Sequence, residues 1–170
     1  MLKRLSAVVI LCLFVALFGS AIVAQEAKFL FDIGNGPVAE GYIGVRCDVL
    51  YTPERGYGFG GPVDGRDRGD EQPDLVKRDF CNQLPELEFI VDLPNGMYQV
   101  EVIMGDQIAT QVETTVTIEG QVVMEGVRAG RGSFIQQIVT VTVTDGQMNI
   151  RLSADNNTVR LNGLRIERIG

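Results

Sequence analysis

LEFIVDLPNGMYQVEVIMGD, from Leu87 to Asp106, decides the fold class. Leu87, Phe89, Val91 and Leu93 alternate with Glu88, Ile90 and Asp92, a period of two that specifies strand rather than helix. Tyr98, Val100, Val102 and Met104 repeat the alternation, with Gln99 and Glu101 on the other face. Pro94-Asn95-Gly96 separates the runs: Pro presets the φ of a turn, and Gly supplies the positive φ that closes a three-residue hairpin. The two runs are expected to pair as a hairpin whose apolar face a second sheet must cover.

Working outward, Lys28 to Asp32 reads as a short first strand closed by Gly34-Asn35-Gly36-Pro37, and Tyr42 to Tyr51 has weak strand character. Val112 to Ile118 and Val122 to Val127 alternate around Glu119-Gly120, a second hairpin. Ser133 to Thr144 sets Val139, Val141 and Val143 against Thr140, Thr142 and Thr144, and Asp145-Gly146 turns it into Met148, Ile150 and Leu152. In the final run Val159 and Leu161 give way to Leu164 and Ile166, a one-residue shift of phase at Asn162-Gly163 that implies a bulge or sharp bend. Eight or nine strands without a helical period describe an all-β, two-layer sandwich. Thr52 to Lys77, TPERGYGFGGPVDGRDRGDEQPDLVK, has no period and is expected as a long loop at one rim. Loops of that length are usually disordered or functional, and Tyr57 and Phe59 argue against disorder.

At 170 residues and 45% apolar content the chain fits one domain with a real core. Lys3 and Arg4, the apolar run Leu5 to Phe18, and small residues at Gly19, Ser20, Ala21 and Ala24 have the order of a secretory signal peptide. The expected division is a leader over residues 1–24, cut after Ala21 or Ala24, and a domain over residues 25–170. The alternative, a retained anchor, has fewer than the roughly 20 apolar residues a spanning helix needs. The expected location is secreted or otherwise extracytoplasmic, with no membrane attachment after cleavage. Loss of Lys3 and Arg4 moves the net charge from −7 to −9, which excludes nucleic acid as a natural partner. Of three cysteines, Cys12 leaves with the leader. Cys47 and Cys81 read as one disulfide in an exported chain, the alternative being two separately buried thiols.

The chain has no histidine, which removes the usual general base, the Ser-His-acid triad and every His-based metal site. Gly105-Asp106-Gln107 places Gln where one esterase group carries its Ser nucleophile. Asp64, Asp67, Asp70 and Glu71 share one solvated loop with nothing to raise a pKa, so a carboxylate pair for glycoside cleavage is not expected either. The long loop does suit recognition of a polar ring. Tyr57 and Phe59 offer stacking faces, and Arg55, Arg66, Asp67, Arg68, Arg78 and Asp79 offer donors and acceptors for hydroxyls. On the opposing view the aromatics plug the core and the charges form surface ion pairs of little consequence. Asp32 and Asp48 are weighed as oxygen donors for a structural Ca²⁺ against plain turn formers; no metal or cofactor is assigned. Asn156-Asn157-Thr158 meets the glycosylation pattern, which matters only in a eukaryotic host.

Six pieces in order carry a resemblance: FDIGNGPVAEGYIGV from Phe31, GYGF from Gly56, RDF from Arg78, VDLPNGMYQVEVIMGD from Val91, VTVTDGQMNIRLS from Val141 and LNGLRI from Leu161. With them the chain resembles the galactose-binding-like β-sandwich found in front of bacterial rhamnogalacturonan acetylesterases and related pectin-degrading enzymes. More distantly it is similar to malectin-type domains. The resemblance implies a jelly-roll sandwich and a non-catalytic module for pectic or other plant or microbial polysaccharide or oligosaccharide. The catalytic hydrolase domain of those esterases has no counterpart in the sequence. The expected ligand site is Tyr57, Phe59, Arg66, Asp67, Arg68 and Asp79, with Asn162 at the bulge, and Tyr57→Ala is expected to abolish binding with little loss of thermal stability. The Cys pair and the acidic stretch from Gly61 to Asp74 depart from the resembled pattern. Two other readings stand beside this one: a structural or protein-interaction sandwich of the envelope, serving an exported enzyme partner, and a fragment of a longer esterase.

Overall fold

The computed structural model describes residues 28–170. The leader over residues 1–24 and its Cys12 lie outside the described residues. Among the described residues no helix is long and apolar enough to cross a membrane.

Among the described residues, thirteen strands form two five-stranded sheets and a small third sheet at one end. The first sheet contains, side by side, β10 (Phe134–Val143), β7 (Gly96–Gly105), β13 (Gly163–Arg168), β1 (Lys28–Ile33) and β2 (Ile43–Val45). The second contains β3 (Tyr57–Phe59), β6 (Glu86–Asp92), β11 (Gln147–Ser153), β8 (Gln111–Ile118) and β9 (Gln121–Ala129). The third is β12 (Val159–Leu161), β5 (Asp79–Gln83) and β4 (Asp64–Asp67), with the one-turn helix α1 (Leu75–Arg78) leading into β5. The all-β sandwich expected from the periodicity is what the chain adopts.

The expected hairpin at Leu87–Asp106 is not one. β6 pairs with β3 and β11, whereas β7 lies in the other sheet between β10 and β13, so Pro94-Asn95-Gly96 crosses the sandwich. Asp145-Gly146 also crosses, from β10 to β11. The two crossings are bonded together: Leu93 N donates to Gly146 O at 2.9 Å, and Asn95 Nδ2 to Thr144 O at 2.8 Å. Alternation fixes which side chains face the core, and two strands facing each other across that core satisfy it as well as two strands side by side. Pairing partner is a long-range choice that turn residues do not encode. The Glu119-Gly120 hairpin does form. Both residues have positive φ, 51° and 71°, the backbone of a two-residue hairpin turn joining β8 to β9.

The phase shift at Asn162-Gly163 is the point where the chain leaves the third sheet for the first. Asn162 N donates to Ile103 O at 3.0 Å and its carbonyl accepts from Ile33 N at 2.8 Å, so Leu161 and Leu164 are both buried despite the break in alternation. The strand count exceeds the expected eight or nine mainly because residues 43–83 contain three- to five-residue strands, too short to show a period. At the centre of the core Phe89 meets Phe31 and Phe59 edge to face, at 5.2 and 5.5 Å between centroids. Cys47 and Cys81 form a buried disulfide, Cα atoms 5.4 Å apart, that ties the chain after β2 to β5.

Candidate functional site

The end of the sandwich that carries the third sheet holds most of the charged residues expected to bind a ligand, and it uses them on one another. Arg78 Nε donates to Asp67 Oδ1 at 2.9 Å, and Arg78, with a backbone N–H from Gly69, holds the Asp67 carboxyl below its ordinary range. Arg68 grips Asp106 with Nε at 2.8 Å and Nη2 at 2.6 Å, and Arg160 Nε lies 3.5 Å from the same carboxylate. Burial, the largest single influence, pushes the Asp106 carboxyl up, but the Arg68 hydrogen bonds, the Ile108 N–H and the charges of Arg68 and Arg160 together outweigh it and leave the group below the usual carboxylate value. The two guanidinium groups sit 5.3 and 5.6 Å from the Phe80 ring. Arg66 is exposed and its Nη1 donates to the carbonyl of neighbouring Gly65.

Asp79 and Asp32 are buried beneath the turn at Gly34–Ala39. Asp79 Oδ2 accepts from Gly36 N, Oδ1 has no partner among the described residues, and a side chain at Gly34 would collide with this carboxylate. Asp32 Oδ2 accepts from Ala39 N at 2.7 Å. Burial raises both carboxyls, that of Asp32 to about 6. Asp48 is exposed beside Arg46, whereas Asp32 is buried. Among the described residues no group of three or more carboxylate or cysteine side chains converges as a metal site.

The structure therefore divides the seven expected ligand residues. Arg66 and Asp67 are open to solvent, and Arg68 is half-buried against Asp106. Asp79 holds a turn from within. Asn162 is wholly enclosed: its Oδ1 accepts from Gly105 N at 2.8 Å and its Nδ2 donates to Asp79 O at 2.9 Å, so it is a joint between sheets and presents nothing to a ligand. Phe59 is 1% exposed and fills the core, and Tyr57, half-buried, leans on Phe31 at 5.3 Å. Both aromatics lie on β3 in the second sheet, and no hydrogen bond, ion pair or ring contact joins them to the charged residues of the third. The burial of Phe59, Asp79 and Asn162 corrects the expectation that they face a ligand.

A concavity that the sequence reading missed lies on the outer face of the first sheet. Arg165 on β13 stands opposite Glu101 on β7, with Nη1 2.5 Å from Oε2. Arg165 Nε donates to the Tyr42 hydroxyl, and its guanidinium lies 5.7 Å from the Tyr42 ring. Leu30 and Ile138 line the sides of this groove, about 230 Å³ in volume. Its signal was the second half of each alternation: Glu101 and Arg165 fall on the polar phase of their strands, but only the register sets them side by side. A larger hollow of about 460 Å³ at the Ser153–Asn157 turn is lined by polar residues including Glu86, Glu113 and Glu125, without an aromatic ring.

A family model described as Beta-agarase/YXIM esterase-like, galactose-binding domain-like matches residues 29–166. The chain belongs to this family. It is 30% identical over 99% of its length to the uncharacterized esterase YxiM of Bacillus subtilis, and 27% identical over 76% to beta-agarase A of Zobellia galactanivorans. It spans 44% and 24% of those two proteins, less than half of either. The crystal structure of YxiM superposes with a TM-score of 0.71 over 85% of this chain and 40% of that one, at 30% identity. The plant receptor-like kinase ANX2 shares the fold alone, with a TM-score of 0.66 over 84% of this chain and 48% of that one, at 12% identity. Membership thus places the chain among galactose-binding domain-like sandwiches of the beta-agarase/YxiM esterase-like family. The aligned region is that domain, and no catalytic domain is evident among the described residues.

Proposed function

We propose that the protein is an exported, non-catalytic module that binds a plant or microbial polysaccharide, pectic or agar-like, through the groove of Tyr42, Glu101 and Arg165. The carrying observation is that groove. It combines a phenol, a half-exposed guanidinium, a carboxylate and aliphatic sides in one concavity, the set of groups a sugar ring with hydroxyls around an apolar face requires. Kinship with an esterase and a beta-agarase supports a polysaccharide as the ligand. Export is supported by the leader-like order of residues 1–24 and by the Cys47–Cys81 disulfide, a bond that persists in oxidising compartments. One ring against a sugar contributes on the order of 1 kcal/mol beyond area effects, so single-site Kd values lie between about micromolar and millimolar.

Affinity electrophoresis of the purified protein through gels containing rhamnogalacturonan, other pectins or agar tests this reading. Retardation that disappears in Tyr42→Ala and Arg165→Ala, with melting temperature kept, and survives in Arg66→Ala supports the groove. Loss in Arg66→Ala alone moves the site to the rim of Tyr57, Arg66 and Asp67. Free migration through every polysaccharide refutes binding. It would favour the second reading, an interaction sandwich serving an exported enzyme, which draws on the chain's alignment to less than half of an esterase.

A further inference from the structure

The first sheet ends on β10, ten residues bonded on one side only. Its register against β7 runs from Phe134 opposite Gly105 to Val143 opposite Gly96 without a slip. No other backbone hydrogen bond reaches Phe134–Val143 among the described residues. Among the described residues, the outward N–H and C=O groups of this strand form a long, regular, unpaired row.

Folded proteins normally blunt such an edge with shortness, bulges, charge or proline, because an open row templates pairing with another chain. The other edges here are blunted. β2, β3 and β12 have three residues and β4 four. β9 has nine, but its pairing with β8 slips in three places, Gly126 turns to φ 59°, and Glu125 and Arg128 lie on it. β10 has none of these devices. From Gly132 to Thr144 the chain contains no Asp, Glu, Lys, Arg or Pro. At the strand's centre Ile138 is 61% exposed, the most open large hydrophobic side chain among the described residues.

We propose that two copies of this chain pair edge to edge, antiparallel, through β10, joining their first sheets into one. Self-pairing suits the strand. A two-fold axis at Ile138 sets Ile138 on Ile138, Gln136 opposite Thr140, and Ile135 opposite Val141. Each pair then lies on a common face, and no like charges oppose one another. With one competent edge among the described strands the association closes as a dimer; a second open edge would have produced a filament.

Light scattering of the full protein across a concentration series tests this. The expected result is a monomer–dimer equilibrium for the wild type and a monomer for Ile138→Lys, which brings two ammonium groups together at the axis. Mixing Ile138→Lys with Ile138→Glu should restore a dimer, a rescue that mere loss of folding cannot mimic. Thr140→Lys serves as a second variant should Ile138→Lys fold poorly, and Val122→Lys on β9 as a control that stays dimeric. A wild type that is monomeric at every concentration overturns the proposal. So does a dimer indifferent to both β10 variants, or a monomer that instead captures a strand of another exported protein.

Discussion

Arg68 closes on Asp106 with two hydrogen bonds, in a place where the carboxylate has no exposure at all. Asp106 belongs to the Gly-Asp-Gln triplet that resembles an esterase opening. Its role here is structural: it pins the loop of Arg68, ahead of α1, to the end of β7, and Ile108 N caps the same carboxylate at 3.0 Å. Removing Arg68 strands a buried charge whose remaining cation, Arg160, is 3.5 Å away. Arg68→Ala should cost about 3–5 kcal/mol in urea denaturation, and Arg160→Ala distinctly less. A loss below about 1 kcal/mol for Arg68→Ala would put the pair in the class of solvated surface bridges.

Stability should peak on the acid side of neutrality. Burial lifts the Asp32 carboxyl to about 6, and Asp79 moves in the same direction for the same reason. A carboxyl that holds its proton more tightly when folded contributes stability that is complete below the ordinary value of 3.8 and lost as pH rises through about 6. Asp106, held below the ordinary value, does the reverse: its contribution is present above that value and lost as pH falls further. The melting temperature should therefore climb from about pH 7 to about pH 5 and drop below about pH 4. Asp32→Asn should flatten the climb. An unchanged slope in that variant would assign the effect elsewhere.

The disulfide spans 34 residues of sequence. Closing a loop of that length restrains the unfolded chain by about 4 kcal/mol in the chain-entropy treatment. The Cys47→Ala, Cys81→Ala double variant should lose stability of that order, measured by denaturant melts under identical conditions. Loss under about 1 kcal/mol would mean that the bridge only decorates an already fixed contact.

Phe59→Ala should cost about 3–5 kcal/mol, because it empties the ring packed edge-on against Phe89. Tyr57→Ala should also lower the melting temperature, since the ring rests on Phe31. That outcome differs from the sequence-based expectation of a dispensable platform. Tyr57→Phe should be neutral, as the Tyr57 hydroxyl makes no hydrogen bond among the described residues. Retained stability in Tyr57→Ala would free that side chain of a packing role and strengthen it as a ligand candidate.

What the sequence discloses here is the facing of side chains, and what it hides is their neighbours. The alternation of Phe89 and Val100 marked both as core, and both are buried. It did not disclose that they belong to opposite sheets, because the turn at Pro94-Asn95-Gly96 serves a hairpin and a crossing equally. The shifted phase at Asn162-Gly163 was legible as a bend since a break in a period of two is local information. The groove escaped because Tyr42, Glu101 and Arg165 come from three separate segments that only strand register assembles. The pairing of the rim charges escaped for a related reason: Arg68 and Asp106 are 38 residues apart, and nothing local marks them as partners.

The position of β13 sets a condition on how the molecule can be built. Residues 163–168 lie in the middle of the first sheet, bonded to β1 on one side and β7 on the other. Before they arrive, that sheet consists of two separate two-stranded ribbons, β1 with β2 and β7 with β10, each too small to persist in water. Folding of a newly made chain therefore waits for the described strand synthesised last. A molecule emerging from its N-terminal end through a narrow channel would hold its open β10 edge and its unburied core residues in an unfinished state until residues 163–168 had passed.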